Sequence, residues 1–216
     1  MNGVTFGSKH SWRDWHCVLN SWDIPLPDVN EDLIKVPGMD GSLDQTEYLA
    51  GITYKDRTLK FNLTYIGAPS TFHQKRQEIA SLLHGKVARI IMDSDPDYYY
   101  EGRCQVENFK AQKAIATFTV SCRCCWKIRR TVTSYTKTLT GSYQSIILYN
   151  ERRPVVPSIS VQYASTIKKG SQTISLAAGT HRPLDLQLVE GLNIIEAKLT
   201  NASSGSITIE YQEASF

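Results

Sequence analysis

The sequence predicts a mainly β protein of two domains, the second of them a β-sandwich. Three observations carry that prediction. Strictly alternating apolar and polar segments recur along the chain. A helical pattern occurs in one segment. Beyond about residue 145, short strand-like runs follow one another with turn residues between them. The 216 residues are 41% apolar and 21% charged, the composition of a packed globular protein rather than a disordered one. Lys and Arg total 24 against 21 Asp and Glu, a net charge of +3. A dedicated nucleic-acid binder carries a stronger basic excess. No apolar run approaches the ~20 residues of a membrane span, so no membrane insertion is expected. The opening stretch, residues 1–10, lacks the apolar core of a secretion signal. The chain therefore reads as a soluble protein made in a cytoplasm or exported by another route.

Each element follows from its own pattern. In residues 57–66, Leu59, Phe61, Leu63 and Tyr65 alternate with Lys60, Asn62 and Thr64, which defines a half-buried strand. A helix is expected from Thr71 to His84. Pro69 and Ser70 introduce it, and Thr71 with Gln74 has the spacing of a capping box. Phe72, Ile79 and Leu83 share its apolar face, and Gly85 ends it in the left-handed conformation. The run 87–92 is a more buried strand. Residues 114–122 alternate again, with Ala116, Phe118, Val120 and Cys122 on one face. Residues 131–145, rich in Thr, Ser and Tyr, read as a link. Strands are then expected at 146–149, 159–163, 173–176, 184–189, 193–199 and 207–211, with turns at Pro154, Pro157, Gly170, Gly179 and Gly191. The domain boundary is placed so that residues 1–134 form the first domain and 135–216 the second.

Candidate chemistry is sparse. The five cysteines are an odd number, with Cys122, Cys124 and Cys125 clustered, unlike an even disulfide framework. Reduced thiols are expected. The Cys-x-x-Cys spacing lacks the second ligand pair that a zinc or iron–sulfur site needs, and in a strand Cys125 opposes Cys122 and Cys124. No bound metal or cofactor is expected. Asp93, Asp95 and Asp97 have the start of a calcium loop, but Tyr98 and Cys104 stand where Gly and Glu would be required, so a structural turn is expected. No phosphate-binding glycine motif and no Gly-x-Ser-x-Gly elbow is present, and no catalytic residue is assigned. Aromatic residues remain: Trp12, Trp15 and Trp22 lie close together, and Tyr98, Tyr99 and Tyr100 are consecutive. On a strand Tyr98 and Tyr100 share one face and Tyr99 takes the other. The three tyrosines are the candidate subunit interface.

Several segments together resemble the siphophage distal tail protein (Dit) family, a tail hub component of phages that infect Gram-positive bacteria. They are Val36-Pro-Gly-Met-Asp-Gly-Ser-Leu-Asp44, Tyr54-Lys-Asp-Arg-Thr-Leu-Lys-Phe61, Leu83-His-Gly-Lys86, Asp93-Ser-Asp-Pro-Asp-Tyr-Tyr-Tyr-Glu-Gly-Arg103, Gly191-Leu-Asn-Ile194 and Ile207-Thr-Ile-Glu-Tyr211. Their order and spacing cover nearly the whole chain. Trp12-Arg-Asp-Trp15 is more aromatic than the family's usual opening, and residues 122–126 depart from its usual end of domain 1. The resemblance implies an N-terminal β-sandwich or split barrel with one α-helix and a β-hairpin, forming the ring (belt) domain. It implies a galectin-like β-sandwich for the second domain. It further implies a homo-hexameric ring at the distal end of a virion tail, made in the host bacterial cytoplasm. The ring would join the major tail tube protein to the tail-associated tip or lysin protein, carry receptor-binding proteins, and pass DNA without reading its sequence.

Two other classes compete with that structural role. A carbohydrate-binding adhesin would use the β-sandwich and exposed aromatics for host-surface attachment, although fold does not fix function. A cell-wall hydrolase would need two carboxylates held about 5–9 Å apart.

Overall fold

A computed structural model of the chain describes residues 3–48 and 51–216. The chain divides into two compact units, one running through Trp126 together with Phe216, the other Lys127–Ser215.

The first unit contains β1 (Val4–Phe6), β2 (Lys9–His10), β3 (Cys17–Asp23), β4 (Leu33–Ile34), β5 (Leu43–Asp44), β6 (Arg57–Ile66), α1 (Phe72–Leu83), β7 (Val87–Met92), β8 (Asp95–Gln112) and β9 (Ile115–Cys124). Seven strands form an antiparallel sheet in the order β2-β1-β7-β8-β9-β6-β3. Its centre is the alternation read from the sequence. Leu59, Phe61, Leu63 and Tyr65 of β6 are buried and stand opposite Cys122, Val120, Phe118 and Ala116 of β9. Phe6 stacks on Trp15 at 6.0 Å and meets Phe61 edge-on at 5.6 Å. The helix contributes Phe72, Ile79 and Leu83 to this core. Gly85 follows it with φ +77°, as its place after the helix required.

The expected capping box does not form. Pro69–Thr71 is already a 3-10 turn, so Thr71 has helical dihedrals and makes no side-chain cap. Its hydroxyl instead donates to the Ala68 carbonyl at 2.7 Å and accepts from the Tyr65 hydroxyl at 2.9 Å. Residues 93 and 94 form the tight turn expected between β7 and β8.

The second unit holds β10 (Lys127–Arg129), β11 (Thr133–Leu139), β12 (Gln144–Asn150), β13 (Ser158–Val161), β14 (Ser165–Lys169), β15 (Gln172–Leu176), β16 (Gly179–His181), β17 (Gly191–Leu199), β18 (Gly205–Tyr211) and β19 (Ala214–Ser215). Two four-stranded sheets, β11-β18-β13-β16 and β12-β17-β14-β15, enclose one core that includes Ile146, Ile159, Ile167, Ile195 and Ile207. This is a β-sandwich, and the strand pairs are antiparallel.

Two readings change here. The units part between Trp126 and Lys127, not at 134/135, because the Thr/Ser-rich stretch is strand β11, paired with β18 from Thr133↔Tyr211 to Leu139↔Gly205. The strand expected at 184–189 is absent. Leu186 donates its N–H to the Pro183 carbonyl, turning the chain. Leu186 and Leu188 still reach the core, and Leu188 makes an isolated bridge to Val155.

Candidate functional site

Between β3 and β6 the chain leaves the sheet as an arm. Its base is closed by hydrogen bonds from Lys55 N–H to the Asp28 carbonyl and from Asn30 N–H to the Thr53 carbonyl. Its middle is the β4–β5 pair, Leu33↔Asp44 and Ile34↔Leu43. Its tip is a turn in which Met39 N–H donates to the Val36 carbonyl. Gly38 and Gly41 there have φ +82° and +83°, which only glycine adopts without strain. The motif at residues 36–44 is therefore the end of a hairpin.

The arm has no core of its own. Every residue from 30 to 44 is exposed. They include Leu33 (53%), Ile34, Val36, Met39 and Leu43 (44%). Neighbouring positions of a strand point to opposite faces, so Leu33 and Ile34 make both faces of the arm apolar. An isolated two-stranded hairpin is marginal in water, and a contiguous exposed apolar patch marks an interaction site. The arm is anchored through Arg57, a buried residue whose guanidinium donates to the Pro25 carbonyl at 2.8 Å.

A second apolar surface lies on the second unit. Ile147 stands opposite Ile194, and Tyr149 opposite Leu192. All four face solvent, Leu192 at 71%. Their strand neighbours Ile146, Leu148, Asn193 and Ile195 point into the core, so this row is the outer face of the β12–β17 pair.

The tyrosines picked from the sequence are less available than their pattern suggested. Tyr99 and Tyr100 are buried, and Tyr98 is half-buried. The Arg89 guanidinium lies 4.8 Å from the Tyr99 ring centre, and Arg57 lies 5.6 Å from that of Tyr100. The tryptophan cluster is split: Trp15 is fully buried, while Trp12 and Trp22 are exposed.

A shallow cleft of about 640 Å³ on the second unit is lined by Arg153, Arg182, Gln187 and Glu210 among others. Its one aromatic, Tyr211, is buried. The cleft thus offers no exposed ring on which a sugar would stack. Among the described residues no group of three His, Cys, Asp or Glu side chains is placed to hold a metal ion. Asp93 of the aspartate run serves the fold. It accepts from His10 Nε2 at 3.1 Å and from Gly3 N–H at 2.9 Å, tying the first strands to the β7–β8 turn.

Residues 18–124, from β3 to the end of β9, match the family described as phage tail protein RIFT-related domain. The first unit thus resembles the siphophage tail proteins. The fold of the whole chain is similar to that of one solved distal tail protein. It superimposes on the crystal structure of SPP1 Dit (gp 19.1), described as a paradigm of the hub adsorption apparatus in Gram-positive infecting phages, with a TM-score of 0.72, covering 100% of both chains at 12% identity. No curated protein sequence matches the chain.

The arm is hard to recognise as a surface from the sequence. Its signal was present as five apolar residues between 33 and 43 that fit neither strand alternation nor a helical stripe, interrupted by Pro37, Gly38 and Gly41.

Proposed function

We propose that the chain is the structural hub of a phage tail's distal end. Six copies close into a ring through the first unit, with the arm of each copy laid on its neighbour. Tyr98 contributes a smaller part of the same contact. The ring continues the tail tube above it and holds the tip protein below. The second unit faces outward, and the row Ile147, Tyr149, Leu192 and Ile194 receives further attachment proteins. DNA passes the lumen unread, in keeping with a net charge of only +3. The role is architectural and requires no turnover.

The observation that carries this reading is the arm: a hydrogen-bonded hairpin on a phage-tail domain, with apolar side chains on both faces and no core beneath them. Closure into a ring would cover it and leave no arm unpartnered. The test is light scattering and negative-stain imaging of the full chain beside the double variant Ile34→Asp/Leu43→Asp. The wild type is expected to form closed rings. The variant is expected to stay monomeric with an unchanged circular dichroism spectrum, because both positions are exposed in the single chain. A wild type that remains monomeric at high concentration, or a variant that assembles equally well, would refute the proposal.

A further inference from the structure

Three thiols meet inside the first unit. Cys104 on β8 stands directly opposite Cys122 on β9, and Cys124 lies two residues further along β9, opposite Arg57 of β6. All three are free and buried. Cys122 thus faces Cys104 across the strand pair and shares its own strand face with Cys124.

The backbone fixes the kind of pair that Cys104 and Cys122 make. Cys104 N–H donates to the Lys86 carbonyl, and its carbonyl accepts from Gly85 N–H, each at 2.8 Å. Both main-chain groups of Cys104 thus point toward the β7 side. Its pairing with Cys122 is therefore the non-hydrogen-bonded kind, in which the Cα atoms approach to about 4.5 Å and side chains lie closest. Disulfides span Cα separations of about 4.4–6.8 Å. Cys122 and Cys124 share one strand and are about 6.6 Å apart at ~3.3 Å per residue, with parallel rather than converging Cβ directions. Gly102 makes room for the sulfurs, since a Cβ there would lie 2.8 Å from Cys122 Sγ and 2.2 Å from the Arg123 carbonyl oxygen.

We infer that Cys104 and Cys122 are a redox latch, a thiol pair that a peroxide converts into a cross-strand disulfide stapling β8 to β9. Cys104 attacks one peroxide oxygen as the thiolate; the O–O bond breaks, hydroxide leaves, and a sulfenic acid remains. The Cys122 sulfur then displaces the sulfenic oxygen, and its proton leaves with that oxygen as water. Two thiols lose two electrons and two protons, and the peroxide becomes two waters. Peroxide is close to water in size, which suits a buried site. The surroundings support the order of attack. Hydrogen bonding from Cys122 holds the Cys104 thiol below its ordinary value against burial. The same contact, aided by the Arg57 guanidinium, lowers Cys124, and the central Cys122 is pushed up as the donor to both. Cys17, elsewhere in the core, is pushed up to about 12 by burial and stays protonated and inert. The inference does not depend on ring assembly.

The test is native full-length protein treated with hydrogen peroxide, quenched, digested and mapped by mass spectrometry without reduction. The expected product is a Cys104–Cys122 cross-link lighter by two hydrogen atoms. Cys124→Ala should retain it and Cys104→Ala should lose it, with circular dichroism confirming that each variant is folded. The oxidised wild type should melt about 5–10 °C above the reduced protein, and Cys104→Ala should show no such shift. Should Cys104→Ala fail to fold, the wild-type map decides alone. A Cys122–Cys124 link, or a native protein whose Cys104 and Cys122 stay unlinked while half-buried Cys125 is oxidised, would overturn the inference.

Discussion

Buried polar side chains in the first unit act as ties. His10 Nδ1 accepts from the N–H groups of Trp12 and Arg13, each at 3.1 Å. The ring proton therefore sits on Nε2 and is donated to Asp93. Burial opposes ionisation of Asp93, but the hydrogen bonds from His10 and Gly3 N–H outweigh it and hold the carboxyl below its usual value. A carboxyl lowered in the folded state stabilises the fold above its unfolded value of about 3.9, and that contribution disappears as pH falls through the folded value. Asp93→Asn should therefore cost about 1 kcal/mol or less near pH 7, since the side chain is part-exposed. The gap between variant and wild type should narrow below about pH 4. Urea melts of the two proteins at pH 7 and pH 3 check this, and an equal gap at both pH values would contradict it. Gly3 belongs to the same tie, because a Cβ there would fall 2.4 Å from the His10 ring.

Elements differ in how openly the sequence declares them. The strands β6 and β9 were legible because each has one face in the core and one outside, which writes a period of two into the residues. The helix was legible from Phe72, Ile79 and Leu83. Its start was misread because the Thr71–Gln74 spacing is also compatible with a chain that is already turning. Thr71→Ala should cost about 1 kcal/mol through its bonds to Tyr65 and Ala68, while Gln74→Ala should stay within about 0.5 kcal/mol. A double-mutant cycle by chemical denaturation should show no coupling between them, whereas a working capping box would couple them by more than about 0.5 kcal/mol. The 18-residue β8 was hidden by an irregularity: its register with β9 shifts between Glu107 and Lys110, and Asn108 has φ +54°, so alternation breaks in mid-strand. β11 was hidden by its polarity, as one edge of a sheet with much of its surface in water. The arm carries no periodic signal because none of the described residues buries it, and a surface without a buried face writes no period into its sequence. The tyrosine run stands out more in the sequence, yet the fold uses two of its rings internally.

At the scale of the whole molecule, each unit has its own core, and the two are joined through the short passage at Trp126 and Lys127. Each is large enough to bury a core independently. The proposed division of labour then has a direct consequence. A fragment of residues 1–126 keeps the sheet, the helix and the arm, and should form rings, while lacking the outward row at Ile147 and Leu192. Circular dichroism reports whether the fragment folds, and light scattering with imaging compares its assembly with that of the full chain. A folded but monomeric fragment, where the full chain forms rings, would move the ring contacts onto the second unit.

The strand order of the first sheet also sets a timetable. β1 pairs at once with β2, Thr5 beside His10, but its other partner is β7, with Val4 beside Met92, and β6, already flanked by β3, awaits β9, with Arg57 beside Cys124. At a synthesis rate of about 5–20 residues per second, the N-terminal strand waits several seconds for β7. During that interval Val4, Phe6 and Trp15, which end in the core, have no sheet to enter. β9, which joins the β3–β6 pair to β8, is the last strand of the sheet to leave the ribosome, so the arm between β3 and β6 is made well before the sheet is closed.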